Sequence, residues 1–498
     1  MNAVLDHPVQ HDGLGSLKDK HLFRELAYID GKWMAGEGGL TFAVTDPATL
    51  TRLARVASLD ESETSVAIEA AEKAFPGWRN RLPQQRAAIL RRWYELICTH
   101  CEDLALLMTL EQGKPLEESR GEIAYGASFI EWFAEEAKRL NGETIISHLP
   151  DAEMLVRREA LGVVGLVTPW NFPNAMITRK AAAAIAAGCT VVVHPSSETP
   201  LSALALAELA ERAGFPAGIF NVVTGKAAPI VDVLCRDERV RGLSFTGSTE
   251  IGKLIAEKCA STVKRLVMEL GGHAPLIIFD DADIDRAVKI AIAAKFATSG
   301  QDCLAANRIF VQSGIYDRFA QAFAAQIAEL KTGNGLTAET DIGPLMHARA
   351  LAKVEEHVRD ACQRGAKLLV GGKRISDHAL FFEPTLLVDM PDDAALMHEE
   401  TFGPVAALTP FDSEEEVIAR ANSTQYGLVA YVVTANGARQ LRMGRALEYG
   451  MIAINRAKIT GAPVPFGGWK QSGLGREGSH HGIEAFTELK YLCIDTAA

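Results

Sequence analysis

The chain is 498 residues long, room for about three domain-sized units at ~150 residues each. With 48% hydrophobic and 23% charged residues it reads as a folded globular chain, which excludes disorder, collagen and coiled coil. Its 51 basic against 63 acidic residues leave a net charge of −12, which argues against nucleic acid or an anionic membrane as partner and demands a local basic group for any acidic substrate.

The opening residues, MNAVLDHPVQHDGLGSLKDK, mix His, Asp, Gly and Lys without an apolar run. A mobile arm over residues 1–22 of a cytoplasmic protein is expected, with no secretory or transit signal. From Glu61 to Leu140 apolar residues recur at three and four, as in Ala67, Ala70, Ala71, Ala74 and Phe75, and predict a helical region. Inside it, Cys98 and Cys101 flank His100, and the Arg91-Arg92-Trp93 cluster reads as a solvated helix face. No second ligand pair follows, so buried structural thiols are expected there in preference to zinc. The eight cysteines, at 98, 101, 189, 235, 259, 303, 362 and 493, are too sparse for a disulfide framework and read as free thiols.

Beyond this region the β-rich runs LGVVGLVTP, CTVVVHP, GIFNVVTG and VRGLSFTG alternate with helical segments such as LSALALAELAERAG, the texture of a parallel α/β unit. The longest apolar stretches here, Ala181 to Cys189 and Val191 to Val193, fall short of the ~18 residues a membrane helix needs. A second alternation follows Gly272, with strands APLIIFD, RIFVQ, ALTPF, AYVVT and MIAIN between helices such as YDRFAQAFAAQIAELK. Two α/β units in series are predicted, with their boundary at Gly271-Gly272.

Four places could carry chemistry. In FTGSTEIG a strand runs into Gly247, Ser248 and Thr249 and then a helix through Gly252; such a helix start attracts phosphate, though many ordinary helices begin this way. Cys303 in SGQDCLAANRIFV lies in a loop where a thiol could be a nucleophile, or else structural like most of the eight. Glu269 in VMELGGHAP is an acid within an apolar stretch, suited to a general base if desolvated and otherwise a strand-end partner for a lysine. Asn171 in TPWNFP is held by Pro169 and Pro173, as an oxyanion donor or as a turn former.

Together TPWNFP, FTGSTEIG, MELGGHAP, GQDC, EETFGPV and PFGGWKQSGLGREG resemble the aldehyde dehydrogenase superfamily in order and spacing, over about residues 24 to 495. AMITRK, AELAERAGFPAGIFNVVTG and GREGSHHGIEAFTELKYLCI look most like succinate-semialdehyde dehydrogenases and related semialdehyde enzymes. The resemblance implies an α/β fold with a Rossmann-type cofactor domain (23–138 and 161–271), an α/β catalytic domain (272–483) whose end packs on the cofactor domain, and a small β oligomerisation arm (139–160 and 484–498). It implies a homodimer or homotetramer that uses NAD or NADP and no metal, with NAD slightly favoured, to oxidise a small aldehyde to its acid.

In that scheme Cys303 attacks the aldehyde to give a thiohemiacetal, Asn171 and the Cys303 N–H hold the oxyanion, hydride leaves for the nicotinamide, and Glu269 activates the water that hydrolyses the thioester. Lys180 assists proton transfer. The resemblance places Trp170, Gly225, Gly247, Ser248 and Leu270 in the cofactor groove, Glu400 on the nicotinamide ribose with Phe402 beside it, and His194 and Ser197 at the adenosine ribose. Phe172, Asp302, Leu304 and Phe466 line the substrate tunnel and Arg179 meets a substrate carboxylate.

The chain departs from that pattern at several positions. His194 stands where a lysine is usual, and Ser197 where NAD-specific members carry an acid. Ala297 replaces a second arginine of the succinate-semialdehyde enzymes, Thr460 or Gly461 replaces a serine, and Ala305 replaces a regulatory cysteine. A semialdehyde substrate is therefore weighed against uncharged aliphatic or aromatic aldehydes. Glu269 argues against coenzyme A as the thioester acceptor, and the joint presence of Cys303, Glu269 and Asn171 argues against a non-catalytic protein.

Overall fold

A computed structural model describes residues 13–376 and 379–497. Of the mobile arm expected over residues 1–22, residues 1–12 lie outside the described chain. The rest is tied down, contrary to expectation: Leu17 and Leu22 are buried, and the Lys18 and Asp19 N–H groups donate to the two carboxylate oxygens of Asp103, both at 2.9 Å.

The predicted helical region is four helices, α1 (Glu61–Arg79), α2 (Pro83–Thr99), α3 (Cys101–Gln112) and α4 (Leu116–Glu136). A capping box starts α1, with Asp60 accepting from the Ser62 N–H and Glu63 returning to the Asp60 N–H, both at 2.8 Å. Pro83 opens α2, where its missing N–H costs nothing. The burial expected for Cys98 and Cys101 is overturned: Cys98 is exposed and Cys101 half-buried, because the inward positions at this helix junction belong to Ile97 and Leu104.

A first sheet follows, wound as β1 (Val163–Val167), α5 (Ala175–Ala187), β2 (Thr190–His194), α6 (Pro200–Ala213), β3 (Phe220–Val222), α7 (Ala227–Arg236), β4 (Val240–Thr246), α8 (Thr249–Ala260) and β5 (Arg265–Glu269). These five strands are parallel in the order β3-β2-β1-β4-β5. The hairpin Ala27–Met34 extends the β3 edge and Gly473–Leu474 the β5 edge, both antiparallel. Strand order reverses between β1 and β4, and the crevice beyond the carboxyl ends of such strands is where open α/β sheets hold ligands.

The second sheet contains β6 (Ala274–Ile278), β7 (Ala306–Gln312), β8 (Thr385–Val388), β9 (Val405–Phe411), β10 (Val429–Val433) and β11 (Met451–Ile454), parallel in the order β8-β9-β7-β6-β10-β11. Lys367–Val370 pairs antiparallel on β8, an edge that the sequence reading had not placed. Helix α9 (Ile284–Phe296) connects β6 to β7, and only Leu270 to His273 separate β5 from β6.

The strand Ala152–Ala160 and the C-terminal strand Thr487–Asp495, both within the segments of the implied arm, pair antiparallel with one another over nine positions. Glu143–Ile145 takes the other side of Ala152–Ala160, which is therefore the central strand of three. No described helix is long and apolar enough to cross a membrane.

Candidate active site

The carboxyl ends of β1, β4 and β5 meet the loops that lead into β6 and β7, and two cavities open along this seam. One, of about 380 Å³, is lined by Trp170 and Asn171 after β1, Gly247 and Ser248 after β4, and Leu270 and Gly271 after β5. Glu400 and Phe402 close it from the second sheet. The other, of about 240 Å³, is lined by Phe172, Arg179, Asp302, Leu304 and Phe466. Cys303 and Met176 belong to both walls, so the thiol sits where the two cavities touch.

Close packing fixes Cys303. A Cβ on Gly272 would come within 2.3 Å of the Cys303 carbonyl oxygen, so the crossing between the two sheets passes directly against the thiol loop and only glycine fits. Upstream, Thr298 and Ser299 hold φ values of 50° and 57°, a costly conformation for a β-branched residue. Glu118 on α4 accepts the Thr298 N–H on both oxygens, at 3.1 and 3.0 Å, and the Ser299 hydroxyl donates to the Gly343 carbonyl at 3.0 Å.

The Asn171 side-chain amide donates to the Gln301 carbonyl at 3.0 Å, which joins the TPWNFP turn to the thiol loop. Behind Asn171 lies a pair that sequence reasoning missed, Lys114 and Glu122. The buried Lys114 ammonium donates to Glu122 at 2.6 Å and to the Asn171 carbonyl at 2.7 Å, while the other Glu122 oxygen accepts the N–H groups of Asn174 and Ala175 that open α5. Lys114 also lies 4.1 Å from the Phe172 ring centroid. Lys114 lies in the short link between α3 and α4 and Glu122 on α4, within a stretch whose spacing announces helix and nothing about what its polar members face.

Glu269 ends β5, 2% exposed, and neither carboxylate oxygen has a hydrogen-bond partner among the described residues. Burial, reinforced by the nearby Glu477 charge, pushes its carboxyl up to about 8. Burial also raises the Cys303 thiol well above its usual range, with the Asp302 and Glu269 charges adding to it. Lys180 does not reach either cavity: it is buried against Glu477, another residue that the sequence did not announce. Glu477 also pairs with Arg179, whose guanidinium lies 4.2 Å from the Phe466 ring centroid. Burial works to raise Glu477, but Arg179 and Lys180 outweigh it and hold the carboxylate below its ordinary value.

At His347 the larger cavity meets a third, of about 400 Å³, lined by Ser197, Glu198, Gly225 and Lys226. Gly225 has φ +150° and a Cβ there would lie 2.4 Å from the Leu59 carbonyl oxygen. His194 lines neither of these cavities. It is 2% exposed with Nδ1 2.9 Å from the Val223 carbonyl, and a carbonyl only accepts, so Nδ1 carries the proton. Burial lowers its pKa and keeps the ring neutral. Of the two candidates for the missing serine, Thr460 lines the smaller cavity and Gly461 does not. A thiol between two cavities, with an amide donor in the same wall and a buried carboxyl that lines neither cavity but whose charge reaches the thiol, is equipment for covalent chemistry on a carbonyl.

Comparison with known proteins follows the same line. Residues 33–492 match the model of the aldehyde dehydrogenase family. The chain is 55% identical to a glutarate-semialdehyde dehydrogenase of Pseudomonas putida, over 96% of this chain and 99% of that one. It is 52% identical to the NADP(+) succinate-semialdehyde dehydrogenase GabD of Escherichia coli, again over 96% and 99%. The crystal structure of succinate-semialdehyde dehydrogenase from Burkholderia pseudomallei superposes with a TM-score of 0.95 at 50% identity, covering 97% of this chain and all of that one.

Proposed function

The chain belongs to the aldehyde dehydrogenase family and is an NAD(P)-dependent oxidoreductase acting on aldehydes, and from that premise we propose that its substrate is a short aldehyde with an anionic group at its far end, of the succinate-semialdehyde type. The observation that carries the assignment of roles is that Cys303 is shared by both cavities. A dinucleotide entering from one side and an aldehyde from the other would meet at its sulfur.

Cys303 Sγ attacks the aldehyde carbon, and its proton passes to Glu269. The developing oxyanion takes hydrogen bonds from the Asn171 amide and the Cys303 N–H. The Lys114–Glu122 pair holds Asn171 in place from behind. When bound, the nicotinamide supplies the hydride acceptor. Once that proton has left by way of Lys180 and Glu477, Glu269, its oxygens without a hydrogen-bond partner among the described residues, takes a proton from water, which attacks the thioester, expels the Cys303 thiolate and releases the acid. Lys180 and Glu477 hold charge next to Glu269 and serve as its route for the proton. Water, not coenzyme A, is the acceptor in this scheme.

The residues of the larger groove fit a dinucleotide. Gly225 leaves its backbone bare, Ser248 and Gly247 stand at the start of α8 where N–H groups favour a pyrophosphate, and the buried Thr246 hydroxyl has no partner among the described residues. Trp170, Leu270, Glu400 and Phe402 would enclose the nicotinamide end. Ser197 would meet the adenosine ribose, while the neutral His194, buried outside both cavities, does not reach it. Both NAD and NADP are accepted, with NAD favoured, because the Glu198 carboxylate opposes Lys226 at that end and no cation stands at 194. The uncovered edges of the three-stranded arm suit a homo-oligomer.

The names of the related semialdehyde enzymes and the cation Lys458 in the wall of the smaller cavity support an anionic substrate. A second reading, an uncharged aldehyde, draws on Ala297 and on the carboxyls of Glu118 and Asp302 in the same wall. The test is kcat/KM for succinate semialdehyde against butyraldehyde and benzaldehyde. We expect the acid to be favoured at least tenfold, and a preference for an uncharged aldehyde would overturn the reading.

A further inference from the structure

The smaller cavity carries five charged side chains, Glu118, Glu122, Arg179, Asp302 and Lys458. Four are engaged within the protein. Glu122 holds Lys114, Glu118 holds the Thr298 N–H, Asp302 accepts the Leu304 N–H at 3.0 Å, and Arg179 is paired with Glu477 and lies 3.0 Å from the Met176 sulfur. Lys458 alone is exposed and makes no hydrogen bond or ion pair with the described residues.

Its backbone is fixed although its ammonium is free. Lys458 lies in the segment that follows β11. Asn455 starts that segment at φ 56°, with its N–H on the Val432 carbonyl at 2.8 Å and its side chain exchanging two bonds with Thr434 at 3.0 and 2.9 Å. At the other end Phe466 and Glu477 exchange two backbone bonds of 2.8 Å. On either side of Lys458, Ala457 and Ile459 pack on the core of the second sheet, which leaves the lysine directed at the cavity.

We infer that Lys458 recognises the distal anion of the substrate and sets the preference for acid-bearing aldehydes. This rests on the reading of the substrate as an anionic aldehyde and names the residue responsible. Arg179 is 1% exposed with its charge already matched, and Asp302 and Glu118 oppose a second negative charge near the thiol. An anion is therefore best placed at the mouth, where Lys458 meets it without a prior loss of hydration. An ammonium on a flexible stem is a point charge without the fork geometry of arginine, so carboxylate and sulfonate heads are both accepted.

The test compares the full-length enzyme with Lys458→Gln, Lys458→Glu and Lys458→Arg, on succinate semialdehyde and on butyraldehyde as internal reference. Lys458→Gln is expected to raise KM for succinate semialdehyde by about tenfold with kcat held, Lys458→Glu to raise it further, and Lys458→Arg to restore it, while KM for butyraldehyde stays within about twofold. Added salt should weaken the wild-type preference and leave the Lys458→Gln enzyme unmoved. If the wild-type enzyme does not distinguish the two aldehydes, the anionic-substrate reading itself fails. If it prefers the acid but the variants keep that preference, the reading stands and the role of Lys458 is overturned. A parallel change in KM for both aldehydes would also overturn it, by making Lys458 a shaper of the mouth and not a reader of charge.

Discussion

The two cavities that meet at Cys303 are built in opposite ways. The side proposed for the dinucleotide is framed by strand ends, glycines and a helix start at the point where the first sheet reverses its order, with Trp170, Glu400 and Phe402 closing it. The aldehyde side is made of side chains drawn from α4, α5, the thiol loop and the segment after β11. A wall of backbone tolerates exchange of its exposed side chains, because the contact groups are N–H and C=O groups common to all residues. A wall of side chains changes its chemistry with each substitution; Ala297 and Thr460, two of the departures from the family pattern, fall on this side together with Lys458, while Ser197 falls on the other.

Cys303→Ala removes the group that both cavities share, and the largest effect is expected there: loss of cofactor reduction by at least about 10³-fold. Dinucleotide binding, followed by fluorescence quenching, should persist in that variant with an unchanged melting temperature. Cofactor reduction at the wild-type rate would sink the nucleophile assignment. Glu269→Gln comes next, with a loss of about 10²–10⁴ in steady-state turnover. The acyl-enzyme should then accumulate, visible as a burst of reduced cofactor where deacylation limits turnover.

The pH dependence follows from the same carboxyl. Burial raises Glu269 to about 8, and the base form is the ionised one, so hydrolysis should climb as pH rises through about 8 and level off above it. Glu269→Gln should flatten that limb of the profile, and a limb that survives the substitution would assign the base elsewhere.

The same division explains what the sequence disclosed. Glu269 and Asn171 were singled out because two glycines or two prolines beside them shape the backbone, and Cys303 because of its loop setting; the roles proposed for all three came from the family resemblance. Helical periodicity over 61–140 was legible for the same reason that it is uninformative about Lys114, Glu118 and Glu122. Period tells which face is inward, not that Lys114 and Glu118 meet loops 57 and 180 positions away. Lys458 carries no motif at all and is found only once β11 has delivered it to the cavity. The exposure of Cys98 was misjudged because the inward positions at its helix junction are taken by Ile97 and Leu104.

Lys114→Met tests whether the aldehyde-side support is structural or local. Removing one partner of a buried pair leaves Glu122 charged and unmatched, with an expected cost of about 3–5 kcal/mol of stability. In the fraction that folds, kcat should fall more than KM rises, since the Asn171 carbonyl loses its tether while the substrate mouth is untouched. A variant with wild-type melting temperature and kcat would show that the Asn171 turn stands without this support.

The smallest effect is expected on the dinucleotide side, at Lys226→Ala. Lys226 is exposed at the start of α7, lining the same end of the groove as Ser197 and Glu198. A solvated ammonium beside a 2′-phosphate contributes about 1 kcal/mol, or about fivefold in affinity. NADP has that phosphate and NAD does not, so kcat/KM for NADP should fall about fivefold while the value for NAD holds. Equal losses with both dinucleotides would mean that Lys226 supports the loop around Gly225 and not the phosphate. A loss for NADP beyond about fiftyfold would mean that a single side chain governs this wall as Lys458 is argued to govern the other, and the contrast between a backbone-built and a side-chain-built cavity would no longer hold.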